Sequence, residues 1–184
     1  FDKIKYCLEN KINVISTAEE MAYPQAQEPE LAKEMDRIAK ENGVSVLGTG
    51  INPGLIMDLL VITLTGACID VDSIKAERVN NLSPFGPAVM HGQGVGLTVE
   101  EFNKRVEEND LAGHVGFPES ITIIADALGW ELSDEIKLSR EPIVSNVYRK
   151  APHAEVKAGD VAGCNMKGYG NVDEELKIEM LHPQ

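Results

Sequence analysis

Residues 12–47 constrain the fold more than any other stretch. Ile12-Asn13-Val14-Ile15 is a β-branched run, and Val44-Ser45-Val46-Leu47 is a second. Between them lies a well-marked helix. Pro29 suits a first helical position, Leu31, Met35 and Ile38 fall at i, i+4 and i+7, and Gly43 supplies a left-handed stop. A crossover of this length joins parallel strands, so both strands should end on one edge of the sheet. The loops leaving those ends, Ser16 to Glu20 and Gly48 to Gly54, are therefore expected side by side, on the edge where ligands of open α/β sheets bind.

The second loop invites comparison with the dinucleotide fingerprint G-x-G-x-x-G. Its first two glycines are Gly48 and Gly50, but the third position holds Pro53, and Gly54 comes one residue late. The acid that would close the next strand and read a ribose is also misplaced, since Asp70 and Asp72 stand before the run Ser73-Ile74-Lys75-Ala76. The loop is not a phosphate loop. It offers Asn52 as a helix N-cap and Pro53 at a first helical position, ahead of an apolar helix through Leu55, Ile56, Leu59, Leu60 and Leu64. Such a start either caps the chain in the ordinary way or receives an anionic group, such as a substrate carboxylate.

Upstream, Ile4, Cys7 and Leu8 have helical spacing, so the sequence opens inside a helix that feeds a strand. That pattern is expected of a piece of a longer protein. Its 184 residues, 43% of them hydrophobic, can bury a core. Thirty acidic against 17 basic residues give a net charge of -13, and no basic run is present to neutralise a phosphate backbone, so nucleic acid is not an expected partner. Cys7, Cys68 and Cys164 are odd in number and widely spaced, which indicates neither a disulfide framework nor a zinc site. With no apolar run near the ~20 residues of a membrane span, the expected location is the cytoplasm and no membrane partner is expected.

Beyond residue 68 the pattern becomes α+β. Ser73 to Val79 reads as a strand, and Asn80 to Gly96, containing His91 and Gln93, as a long functional loop. Thr98-Val99-Glu100-Glu101 is a capping box with Leu97 and Phe102 placed as a hydrophobic staple, for a helix to about Glu108. A second helix opens near Pro118 and carries Ile121, Ile124, Ala125 and Leu128 as its apolar stripe before Gly129. Alternating stretches at Pro142–Tyr148, Ala154–Lys157 and Leu176–Met180 read as antiparallel strands able to mediate dimerisation.

Five runs in order, NVISTAEEMAYP, VLGTGINPGLIMDLL, SPFGPAVMHGQGVGLTVEEF, GHVGFPESITIIADALGW and EPIVSN, resemble the 2,4-diaminopentanoate dehydrogenase family. That family is related to the dihydrodipicolinate reductase and homoserine dehydrogenase-like oxidoreductases. The resemblance implies oxidative deamination of a 2,4-diamino acid to the 2-amino-4-oxo acid in ornithine fermentation, with NADP or NAD as cofactor and ammonia as product. It also implies a fold of α/β followed by α+β: the end of a Rossmann-like parallel sheet over residues 1–52, then a substrate and dimerisation domain over 53–184 whose mixed or antiparallel sheet is covered by helices. The expected partners are a small diamino acid and further copies of the chain, as a homodimer or higher homo-oligomer.

Removing hydride from a carbon that bears an amine needs a neutral amine, a base, and a water to attack the imine. Carboxylates and histidines suit those roles. By position the catalytic candidates are Glu19, Glu20, Asp58, His91, His114 and Glu119, with the two adjacent glutamates nearest the nicotinamide or the amino groups. Glu119, in the first turn of its helix, serves either there or in offsetting the helix dipole. Ser16, Thr17, Asn52 and Gly54 are the candidates for the cofactor or substrate edge. Other readings stay open: a reductase-like enzyme with another substrate, although the H-H-x-x-K-x-D-x-P-S-G-T type of motif is missing, or a non-catalytic dimerisation fragment.

Overall fold

The computed structural model describes residues 1–184. The chain divides into two compact units, each drawn from separate stretches. The first comprises residues 1–74, 116–136 and 170–178, and the second 75–115, 137–169 and 179–184.

The first unit opens with helix α1 (Asp2–Glu9), strand β1 (Val14–Ser16), helix α2 (Pro29–Asn42) and strand β2 (Val46–Gly48). The two strands pair in parallel, Val14 against Val46 and Ser16 against Gly48. Helix α2 starts at Pro29 and stops at Gly43, whose φ of 67° is the left-handed value that glycine adopts without steric cost. Its buried face, Met35, Ile38 and Ala39, packs with Leu8 of α1 and with Met21, Val14 and Val46. Residues 17–28 fold into two short 3-10 turns, Glu19–Ala22 and Pro24–Ala26.

The glycine loop runs differently from the expected helix start. Residues 51–58 form turns, the Asn52-Pro53 peptide is cis, and helix α3 spans Leu59–Thr65. Its N-cap is Asp58, whose carboxylate accepts from Leu59 N, rather than Asn52. The reason lies in the backbone: Gly54 holds φ at 122°, outside the helical range, and the Pro53 ring is buried against Gly116, where a Cβ would come within 2.4 Å of Pro53 Cδ.

Helix α4 belongs to the second unit and spans Pro87–Gly92, within the stretch expected to be loop throughout. Helix α5 (Val99–Glu107) follows, with its capping box present: Glu101 N donates to Thr98 Oγ1 and Thr98 N to Glu101 Oε2. Helix α6 (Phe117–Leu128) returns to the first unit, with Gly116 as its N-cap and Gly129 as its left-handed stop.

Strand β3 (Ile74–Glu77) and strands β4 (Lys137–Val144), β5 (Arg149–Ala151), β6 (Ala154–Val156), β7 (Val161–Val172) and β8 (Glu175–Pro183) complete the chain. Four of them form a sheet in the order β3-β8-β7-β4, and β5 and β6 form a separate two-stranded ribbon. Strand β4 runs antiparallel to β7, with Lys137 opposite Tyr169 and Ile143 opposite Gly163. Phe102 of α5 packs with Leu111, Val161 and Cys164 in the core of the second unit. The sheet is mixed, since β3 runs parallel to β8, with Arg78 N donating to Leu181 O and Asn80 N to Pro183 O, whereas β4 is antiparallel to β7. The architecture is thus a parallel β-α-β edge followed by an α+β arrangement with a mixed sheet, as expected. No helix is long and apolar enough to cross a membrane.

Candidate active site

The two ligand-edge loops of the first unit meet as expected, since Thr49 N donates to Ser16 O at 2.9 Å where the strands end. The glycines there are closed on the chain itself. A Cβ on Gly48 would overlap the Met21 carbonyl, one on Gly50 would lie 2.5 Å from Pro53 O, and one on Gly54 would lie 2.3 Å from Gly50 N. What approaches these glycines is backbone, so a dinucleotide pyrophosphate does not fit this loop.

Asp58 is 2% exposed and its oxygens are occupied. Oδ2 accepts from Gly54 N at 2.7 Å and from Ser120 Oγ at 2.9 Å, while Oδ1 accepts from Leu59 N at 2.6 Å. The residue ties the glycine loop to α3 and α6. Gly54 contributes its N–H to that tie, and Asn52 reaches Met57, its Nδ2 lying 3.5 Å from the Met57 sulfur.

Glu119 is the contrasting carboxylate. Its position near the start of α6 would suit a surface residue facing the helix dipole, yet its side chain is fully buried. Oε1 accepts from Gln27 Nε2 at 2.6 Å, and buried Oε2 has no hydrogen-bond partner. Gln27 directly follows the second 3-10 turn, whose start at Pro24 fixes its position, and Tyr23 beside it hydrogen-bonds Asp126 on the same helix α6. Burial, reinforced by the Asp126 carboxylate, pushes the Tyr23 phenol up to about 12.

A cavity of about 450 Å³ opens beside Glu119. Ser16, at the end of β1, Glu20, Gln27 and Glu28 line its polar side, and Ile4, Ala18, Leu31 and Met35 are among its apolar walls. No lysine or arginine lines it. The structure thus brings together Ser16, Glu20 and Glu119 of the sequence candidates. Thr17 and Glu19 are exposed residues of the same loop and do not line the cavity.

The two histidine candidates belong to the second unit. His91 is exposed at the end of α4, its Nε2 lying 3.4 Å from the Arg105 guanidinium. His114 is mostly buried and meets His182 edge to face, with ring centroids 4.9 Å apart. His182 Nδ1 lies 2.7 Å from the Arg78 carbonyl oxygen, which can only accept, so that nitrogen carries the proton. Burial drives the His114 pKa down to about 3, and the neighbouring His182 ring, were it protonated, and the Arg78 charge push the same way. Burial likewise lowers His182. Both rings are therefore held neutral near pH 7.

Gln27 and His182 escaped the sequence reading. A glutamine in a polar loop and a histidine near a strand end carry no spacing signal of their own. No cluster of histidine, cysteine and acidic side chains is arranged to hold a metal ion.

Fold and site together define an α/β chain continued by an α+β arrangement, with a small acidic pocket where the parallel strands end. Residues 55–184 match the 2,4-diaminopentanoate dehydrogenase C-terminal domain, and the chain belongs to that family. It is 73% identical, over all 184 residues, to 2,4-diaminopentanoate dehydrogenase of Acetoanaerobium sticklandii, and spans 52% of that relative's length. Among solved structures, the amine dehydrogenase from Mycobacterium smegmatis matches 99% of this chain and 54% of its own, with a TM-score of 0.79 at 23% identity, a likeness of fold.

Proposed function

We propose that this chain is the C-terminal part of an NAD(P)-dependent dehydrogenase that deaminates 2,4-diaminopentanoate oxidatively to 2-amino-4-oxopentanoate. The observation that carries this reading is the 73% identity, sustained over the whole chain, to a 2,4-diaminopentanoate dehydrogenase. Residues 1–52 are then the last part of the nucleotide domain and 53–184 the substrate and dimerisation domain, a division supported by the start of the family match at residue 55.

The nicotinamide of NAD or NADP supplies the hydride acceptor. The chain's own residues do the rest. Ser16 and Thr17, where β1 ends, form the edge that faces the cofactor, and Glu20 takes the proton from the reacting amine and then from the water that attacks the imine. An exposed carboxylate at the mouth of a cavity can pass protons to solvent, which supports that role for Glu20. Asp58 holds the loop and helix starts in place without touching substrate.

The test is a steady-state assay of the full-length enzyme on 2,4-diaminopentanoate and on dihydrodipicolinate, with each nicotinamide cofactor. Turnover of the diamino acid alone is expected, and Glu20→Gln should lower kcat by roughly 100-fold. Turnover of dihydrodipicolinate instead would favour a reductase.

A further inference from the structure

The half-satisfied carboxylate in the first unit has more to say about specificity than about proton transfer. A buried carboxylate is costly unless its oxygens find donors. Glu119 has a donor on one oxygen, Gln27 at 2.6 Å, and none on the other. It lines the cavity of about 450 Å³, whose other charged lining residues are the carboxylates Glu20 and Glu28. The complement to such a site is a small cation that donates hydrogen bonds.

We propose that Glu119 is the specificity-determining residue that binds the non-reacting ammonium group of the substrate. Gln27 is its positioning residue, holding Oε1 so that Oε2 is left for the ligand. This inference rests on the diamino acid reading above and assigns the second amine a place. The reacting amine must be neutral to release hydride, whereas the other amine keeps its proton, and a desolvated carboxylate discriminates between the two forms. A buried acceptor left empty also penalises analogues that lack the group, so the same residue rejects monoamines.

The test uses the full-length enzyme and two substrates, 2,4-diaminopentanoate and 4-aminopentanoate, which lacks the 2-amino group. Glu119→Gln should raise KM for the diamino acid by roughly 30- to 100-fold, a loss carried by KM rather than kcat. Its effect on kcat/KM for 4-aminopentanoate should stay below about 5-fold, so the preference for the diamino acid collapses. Gln27→Leu should raise the same KM by roughly 5- to 10-fold, and it carries the test if Glu119→Gln does not fold. Equal losses on both substrates, or a fall in kcat with a displaced pH profile, would overturn the proposal and make Glu119 a base or a structural group.

Calorimetry with 2,4-diaminopentanoate in the absence of cofactor separates this inference from the reaction itself. Weaker binding by both variants than by the wild type supports the ammonium site even if the wild type turns over another substrate. Unchanged affinity sinks the site while leaving the proposed reaction standing.

Discussion

Two carboxylates at the start of α6's neighbourhood are equally hidden and differently employed. Asp58, bonded to Ser120, has three donors, from Gly54, Leu59 and Ser120. Glu119, the residue before Ser120, has one donor and an oxygen to spare. Burial alone does not separate a structural acid from one that awaits a ligand; the count of filled acceptor positions does. Of the two, Glu119 is the one that lines the cavity.

The strongest way to break this contrast is Asp58→Ala. It strands two backbone N–H groups and a hydroxyl, and should cost about 3 kcal/mol or more in denaturant unfolding. A loss below about 1 kcal/mol would mean that the tie between loop and helix is dispensable.

A similar magnitude is expected from pH at the buried histidine of the second unit, a site filled by neighbours rather than open. His114 has its folded pKa depressed from 6.5 to about 3, so the unfolded chain binds the proton more readily. Stability from this group is complete above 6.5 and is lost as pH falls through the interval down to about 3. Between about pH 7 and pH 4 the loss should be on the order of 3 kcal/mol, and His114→Asn should flatten that part of the stability curve.

Ser120→Ala sharpens the comparison at smaller scale. Asp58 keeps its two backbone donors, so the expected loss is about 1 kcal/mol, measured by the same unfolding curve. Smallest of all is the effect of Glu119→Gln on stability, expected within about 0.5 kcal/mol because the amide keeps an oxygen acceptor and gives up a buried charge. A large destabilisation there would place Glu119 with Asp58 as a structural residue.

Much of this architecture was legible from local chemistry. The Pro29 start and Gly43 stop of α2, the Thr98–Glu101 box, and the parallel pairing of β1 with β2 are set by short-range rules, and each is present. Strand β7 was illegible because Gly163, Gly168 and Gly170 make it look like a turn. Long-range packing explains two of them: a Cβ on Gly163 would overlap the Gln184 carbonyl, and one on Gly170 would lie 2.7 Å from Ile121. The turn after it, Asp173-Glu174, is left-handed at both residues without the glycine that usually marks one.

The site divides the same way. Glu20 and Ser16 follow from strand ends, whereas the pairing of Gln27 with Glu119 joins residues 92 apart and no local pattern announces it. Asn52 looked like a cap because Asn-Pro is a common helix opening. Asp58, six residues on, took the cap because the Gly54 backbone left the helical region first.

Helix α6 also separates ancestry from folding. It lies within the family match that begins at residue 55, yet its hydrogen-bonding neighbours Tyr23 and Gln27 stand before that boundary, in the same compact unit. A protein trimmed to the matched residues would inherit the helix without the turns that seat it, leaving the Glu119 carboxylate without its only donor. Anyone exchanging halves between relatives would do better to carry residues 16–28 along with α6, treating them as one cassette.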